Sequence, residues 1–290
     1  MDWNNIQDRL ADLDPVKGGF SSAIRGTMTL PTGQQIFVKA GNDKNTRDWA
    51  HKEIAVYRFL SNHSYSHIGE LIAVNEDETA FAIEALTKEY CWDWSETWTT
   101  KRLDATLAAM DELAAIRPKD TNATIFKGLL SKDDDGWVEI ANSNELQSAF
   151  RSRMGDNPTL HRIAESFGQQ AEVSRSFDAM SADALIHLDV RADNCAWNAE
   201  KNIVKLVDWN WLSLGNRGID LASFLVHVYD SGLDILPDYA ERLDPSAVHW
   251  MAGFWIKSGC TPIWPGGPAN LRDIQFKKGT TALELLDKIR

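Results

Sequence analysis

The run His187-Leu188-Asp189-Val190-Arg191-Ala192-Asp193-Asn194, followed by Asp208 in Leu206-Val207-Asp208-Trp209-Asn210, constrains this chain more than any other feature. An amide stands five residues after the Asp189 carboxylate, and the Asp208 carboxylate fourteen residues after that amide. Between them lie two short, mostly apolar runs, Cys195-Ala196-Trp197 and Ile203-Val204-Lys205-Leu206-Val207. The polar stretch from Asn198 to Asn202 reads as a turn, so a hairpin is expected. With Trp197 placed opposite Ile203, Asn194 falls opposite Leu206. Side chains alternate along a strand, so Leu206 and Asp208 then point the same way as Asn194. An amide oxygen and a carboxylate converging there suit Mg2+, a hard cation that keeps some water and phosphate oxygens as ligands. With Asp189 to orient a hydroxyl nucleophile, these are the groups that phosphoryl transfer from a nucleoside triphosphate requires.

The chain has 290 residues, long for one compact core and natural for two lobes. Its formal net charge is -12, which argues against a nucleic-acid partner and is compatible with a cationic substrate. No apolar run is long enough to suggest a membrane span, and Met1-Asp2-Trp3-Asn4-Asn5 does not open a secretory signal. Cys91, Cys195 and Cys260 form no CxxC pair, so reduced thiols in a cytosol are expected. The oligomeric state is open.

Up to about residue 85 the pattern is that of strands with one helix. Ile24 to Leu30 and Gln34 to Lys39 flank the turn Pro31-Thr32-Gly33 and predict a hairpin. Asn45 to Leu60 predicts a helix with Asn45 or Thr46 as N-cap. Two further strands are expected over 68–74 and 79–86. From Thr87 onward helices dominate, near 103–116, 144–154, 158–180, 219–231, 246–257 and 281–289, with the 195–207 hairpin embedded among them. Lobes of these two kinds are expected to leave a cleft suited to a small molecule.

Lys39 ends the apolar strand Ile36-Phe37-Val38, and Glu53 lies on the helix that follows. Trp49, Glu53, Tyr57 and Leu60 share one helix face by spacing. A carboxylate within an apolar stripe needs a cation, because burying an unpaired charge costs several kcal/mol. Lys39 is the natural partner, and in a nucleotide site such a pair sets the ammonium against the phosphates. The alternative is that Glu53 simply reaches the surface.

At these residues the chain resembles the aminoglycoside phosphotransferase and choline kinase-like family, within the protein-kinase-like fold. The resemblance rests on Gly18-Gly19-Phe20-Ser21, Lys39, Glu53, His187/Asp189/Asn194, Asp208-Trp209 and Gly218-Ile219-Asp220-Leu221-Ala222, and spans about residues 15–225. The catalytic string and Asp-Trp are specific in combination, whereas the Gly-Gly-Phe-Ser loop alone is a weak signal. The resemblance implies an α+β, bilobal fold: a small antiparallel-sheet N-lobe with one helix, and a larger, mainly helical C-lobe. It assigns residues 1–86 to nucleotide binding and 87–290 to catalysis and acceptor binding. ATP and Mg2+ are the implied cofactors, and the implied partner is a small-molecule acceptor with a hydroxyl. Asp189 would take the hydroxyl proton, and Asn194 and Asp208 would hold Mg2+. Lys39, held by Glu53, would contact the phosphates. The backbone around Gly18, Gly19, Ser21 and Ser22 would cover them, and Glu84 to Leu86 would offer backbone groups to adenine. His187 and Asp220 would brace the catalytic loop.

The chain departs from its relatives within this run. The family usually has glycine and proline where this chain has Leu188 and Ala192, and Arg191 stands two residues after Asp189. Arg191 is grouped with Asp189 as catalytic: a guanidinium there either stabilises charge on the transferred phosphoryl group or forms a surface salt bridge with Asp193. Asp208-Trp209, with the long helical stretch over 100–180, favours a small-molecule kinase over a protein kinase. Choline, ethanolamine, another amino alcohol or a sugar remain as alternative acceptors. A nucleotide-binding pseudokinase is the alternative of another class.

Overall fold

The computed structural model describes residues 3–16, 22–119, 124–127, 130–264 and 267–289. In chain order the strands are β1 (Asp14–Pro15), β2 (Ile24–Thr29), β3 (Gln35–Ala40), β4 (Leu71–Val74), β5 (Ala80–Glu84), β6 (Ala184–Ile186), β7 (Cys195–Asn198), β8 (Ile203–Leu206) and β9 (Ser213–Gly215). The helices are α1 (Asn4–Gln7), α2 (Lys44–Asn62), α3 (Thr100–Ala115), α4 (Gly136–Asn142), α5 (Asn144–Arg153), α6 (Pro158–Ala164), α7 (Phe167–Arg175), α8 (Arg217–Asp230), α9 (Leu236–Tyr239), α10 (Pro245–Cys260) and α11 (Leu271–Ile289). Contacts divide the chain into two compact units, Met1–Lys127 with Ala192–Leu212 and Gly128–Arg191 with Ser213–Arg290. The architecture is α+β. No described helix is long and apolar enough to cross a membrane.

The first unit is built on a five-stranded antiparallel sheet in the order β1-β2-β3-β5-β4. Strand alternation sets its two faces. Ile36, Val38 and Ala40 join Met28, Leu30, Ala80 and Ala82 in a core that Trp3 and Ile6 complete. Phe37 and Lys39 point to the opposite face. Gly33, at φ 84°, makes the β2–β3 turn.

The N-cap of α2 is Asp43 rather than Asn45 or Thr46. Its carboxylate accepts from the Thr46 N–H at 2.9 Å, while the Thr46 hydroxyl accepts from the Asp43 N–H at 3.0 Å. This reciprocal box puts Thr46 inside the first turn, where it cannot also be the cap. Ala50, Glu53, Ile54, Tyr57 and Leu60 form the buried stripe, whereas Trp49 is 42% exposed. Ala50 takes the inward position that the sequence pattern gave to Trp49.

The hairpin forms one residue away from the expected register. Cys195 pairs with Leu206, Trp197 with Val204 and Asn198 with Ile203. The cause is the turn. Asn198 stays in the strand and its side chain accepts from the Lys201 N–H at 3.0 Å, while Asn202 takes a left-handed φ of 51°. The Asn194 carbonyl therefore accepts from the Val207 N–H at 3.1 Å, so strand alternation does not bring Asn194 and Asp208 together. Asp208 itself leaves the strand in a left-handed conformation, φ 63° and ψ 61°.

The second unit is mainly helical. The helix expected over 158–180 is two helices, α6 and α7, because the backbone leaves the helical region at Ser166, φ -137° and ψ 29°. β6 pairs antiparallel with β9, a pair the sequence pattern did not reveal, and runs straight into His187. Packing of α4 on α10 is backbone to backbone: a Cβ at Gly136 would lie 1.9 Å from the Gly253 carbonyl oxygen. The fully buried Trp137 lies beside this contact and donates to the His249 carbonyl at 2.8 Å. Gly136→Ala must push these helices apart, and an overpacked core costs about 1–3 kcal/mol. A urea melt of this variant is expected to show that loss; a midpoint equal to the parent's would contradict the packing.

Candidate active site

In the first unit three charged groups from separate elements meet. Lys39 Nζ lies 2.5 Å from Glu53 Oε2 and 3.2 Å from Asp208 Oδ1. Lys39 comes from the face of β3 opposite the Ile36, Val38 and Ala40 core, Glu53 from the buried stripe of α2, and Asp208 from the turn that follows β8. Glu53 is 2% exposed, so it is paired in the interior and does not reach solvent. Burial alone would lower the Lys39 amine, yet the Glu53 and Asp208 carboxylates outweigh it and raise its pKa. Burial likewise pushes the Glu53 carboxyl up, against the pull of Lys39 and of a hydrogen bond from the Trp209 backbone.

Asp208 Oδ1 also accepts from Asn210 Nδ2 at 2.8 Å. Asn210 Oδ1 is buried without a hydrogen-bond partner among the described residues. Asn194 is 4% exposed and held through its backbone beside Val207. Carboxylate and amide oxygens of this kind are hard donors, and the orphaned acceptor beside Asp208 adds another; the set fits Mg2+.

An apolar patch of Leu86, Trp92 and Ala196, flanked by Trp94, Ile203 and Val207, lies in the same unit. The Trp94 indole donates to the Leu86 carbonyl at 2.6 Å, while the Leu86 N–H has no hydrogen bond among the described residues. The Glu84 N–H donates to the Glu70 carbonyl at 3.0 Å, and its carboxylate pairs with Lys205. A cavity of about 630 Å³ is lined by Glu84, Ala85, Trp92, Ile203 and Lys205, among others. Ser22 turns its hydroxyl toward Asp43 and Asn42 at the start of α2. Gly18, Gly19 and Ser21 lie outside the described residues.

The second unit holds His187, Asp189, Arg191 and Asp220. His187 is fully buried, and its Nδ1 accepts from the Asp189 N–H at 3.3 Å. Leu188 has φ 64°, a left-handed conformation in which a branched side chain is strained. Two groups of α8 hold it there: Asp220 Oδ1 accepts from its N–H at 2.8 Å and the Ser223 hydroxyl donates to its carbonyl at 3.3 Å. Burial raises the Asp220 carboxyl, opposed by Arg217, whose Nη1 lies 3.0 Å from Oδ2. Arg191 Nε lies 3.4 Å from Asp189 Oδ1, so the guanidinium sits beside the carboxylate expected to act as base.

Sequence reasoning missed Asn210, Lys205 and Arg102. Lys205 lies within an apolar-rich hairpin run and Asn210 two residues after Asp208, but neither carried a signal of its own. Arg102 did: it stands four residues before Thr106 and eight before Met110, on a stripe that is wholly buried.

No protein-family profile matches the chain. No curated protein matches it in sequence. Solved structures do match in shape. The chain is similar to an aminoglycoside phosphotransferase from Alicyclobacillus acidocaldarius, at TM-score 0.59 and 11% identity over 96% of this chain and 93% of that one. It is similar to a spectinomycin phosphotransferase in complex with ADP and spectinomycin, at TM-score 0.59 and 15% identity over 95% and 92%. It is also similar to a choline kinase from Streptococcus pneumoniae, at TM-score 0.56 and 11% identity over 96% of each chain. The chain thus has the protein-kinase-like fold that aminoglycoside phosphotransferases and choline kinases share.

Proposed function

We propose that this chain is a small-molecule kinase that transfers the γ-phosphate of ATP to a hydroxyl of a small, polar or cationic molecule. The observation that carries this reading is the Lys39–Glu53–Asp208 triad, with Glu53 buried, in a fold shared with proteins solved with ADP. Glu53 fixes the Lys39 ammonium to meet the phosphates. The Leu86 N–H, still available, and the apolar patch beside it receive the adenine ring. Asn194 and Asp208 hold Mg2+, which when bound neutralises charge on the phosphate oxygens. Asp189 orients the acceptor hydroxyl and takes its proton, with Arg191 beside it to meet charge on the transferred group. His187 and Asp220 keep the Asp189 loop in shape, and the backbone around Gly18, Gly19, Ser21 and Ser22 covers the phosphates. Acceptor binding is assigned within residues 87–290. The free thiols of Cys91, Cys195 and Cys260 accord with work in a reducing cytoplasm.

A second reading places an amino alcohol as acceptor. The likeness to choline kinase, and to an ethanolamine kinase from Plasmodium vivax at TM-score 0.52 and 11% identity over 94% of this chain and 81% of that one, favours it. ATP turnover against aminoglycosides, amino alcohols and sugars separates the two, with at least one class expected to be phosphorylated. Asp189→Ala is expected to lose transfer by about 10²–10⁴-fold while keeping nucleotide binding. Undiminished activity would remove Asp189 from the mechanism. Asp208→Ala is expected to weaken Mg2+-dependent nucleotide binding, read by calorimetry.

The triad also has a pH signature. The folded-state pKa of Lys39 lies above its ordinary 10.5. Its stabilising contribution is therefore complete below that value and is lost as pH rises through the folded-state pKa. Urea melts from about pH 9 to about pH 12 should fall more steeply for the parent than for Lys39→Met/Glu53→Met, which has no such group to titrate. Parallel curves would contradict the pairing.

A further inference from the structure

Arg102 is 1% exposed and stands in the first turn of α3, where a cation opposes the helix dipole. A buried charge normally demands an opposite one, yet no carboxylate pairs with Arg102 among the described residues. Four carbonyl oxygens meet it instead. Nη1 donates to Ser95 at 2.5 Å and to Thr97 at 3.3 Å. Nη2 donates to Ala192 at 3.3 Å and to Cys195 at 2.7 Å. The guanidinium carbon lies 4.3 Å from the centre of the Trp98 ring.

The two Nη2 contacts flank Asn194. Ala192 to Asn194 form a single 3-10 turn, and the Asn194 carbonyl accepts from the Val207 N–H. The backbone is thus tied at 192, 194 and 195, with Asn194 inside the clamp. We propose that Arg102 is a positioning residue: its planar fork fixes the turn that carries the Asn194 amide, and so sets how well that amide serves the divalent cation. The proposal rests on reading Asn194 as a metal ligand.

Planarity is central. One guanidinium reaches two pairs of carbonyls in fixed directions, which an ammonium of similar length cannot do. Arg102→Lys keeps the charge and most of the apolar stem but gives up the fork. Arg102→Met also removes the charge and leaves buried carbonyls without donors.

The test compares the parent with Arg102→Lys, Arg102→Met and Asn194→Ala. Calorimetry with ADP gives the Mg2+ concentration for half-maximal binding, and a titration in EDTA gives the metal-free affinity. Hydrogen exchange follows peptides covering residues 190–196. Arg102→Lys is expected to raise the half-saturating Mg2+ by about tenfold, the loss of roughly one charge-assisted hydrogen bond. Metal-free ADP affinity should stay unchanged, and exchange in 190–196 should quicken. Arg102→Met, where it folds, should shift the Mg2+ requirement at least as far. If Asn194→Ala raises the Mg2+ requirement and Arg102→Lys does not, the proposal is overturned while the metal-ligand reading stands. If Asn194→Ala itself leaves the requirement unchanged, that reading fails and the proposal falls with it. Should Arg102→Met not fold, exchange in Arg102→Lys decides: parent-like protection of 190–196 overturns the clamp.

Discussion

One ammonium between two carboxylates is the interaction on which the first unit depends. Lys39 is reached by Glu53 from the helix that follows its strand and by Asp208 from the end of a hairpin, so a single cation ties two consecutive elements to a residue 169 positions further along the chain. The trio carries a net negative charge of one, in surroundings where Glu53 has almost no contact with water. Removing the cation would strand a buried carboxylate, a change that costs about 3–5 kcal/mol when a buried pair is broken. The excess negative charge that makes the trio poor as a purely structural device is what the proposed divalent cation would neutralise.

The left-handed residues show how backbone and side-chain chemistry are matched. Leu188 occupies a left-handed conformation that glycine adopts freely. Here the strain is offset from outside, by Asp220 below and Ser223 beside it. The conformation of Leu188 is thus maintained from α8. Asp208 uses the same backbone region differently. It breaks the strand alternation so that its carboxylate can meet Lys39.

Much of this was legible in the sequence, and the limits were physical. Lys39 and Glu53 could be paired because a charge on an apolar stripe requires a counter-charge. The same rule applied to α3 would have singled out Arg102, but its partners are main-chain carbonyls, which no residue identity announces. The hairpin was legible, but its register was not. Asn198 can end a strand or begin a turn with little difference in propensity, and a slip of one residue changes every facing pair. The argument that brought Asn194 and Asp208 together by alternation therefore failed. The short strands β6 and β9 carry too few residues for a period to show.

The first unit is discontinuous: its last piece, Ala192–Leu212, follows 64 residues that belong to the other unit (128 to 191). During synthesis the sheet, α2 and α3 are complete long before that piece emerges. Until it does, Glu53 and Lys39 lack Asp208, Arg102 lacks two of its four acceptors, and the patch around Leu86 lacks Ala196, Ile203 and Val207. The nascent unit thus waits with buried charges half-satisfied and apolar surface uncovered, a state in which chains are prone to aggregate. Closing so long a loop adds little entropy cost beyond a shorter one, but it makes completion a late event. The residues proposed to hold the metal arrive in that final piece, so capacity for the cation and closure of the fold are acquired in the same step.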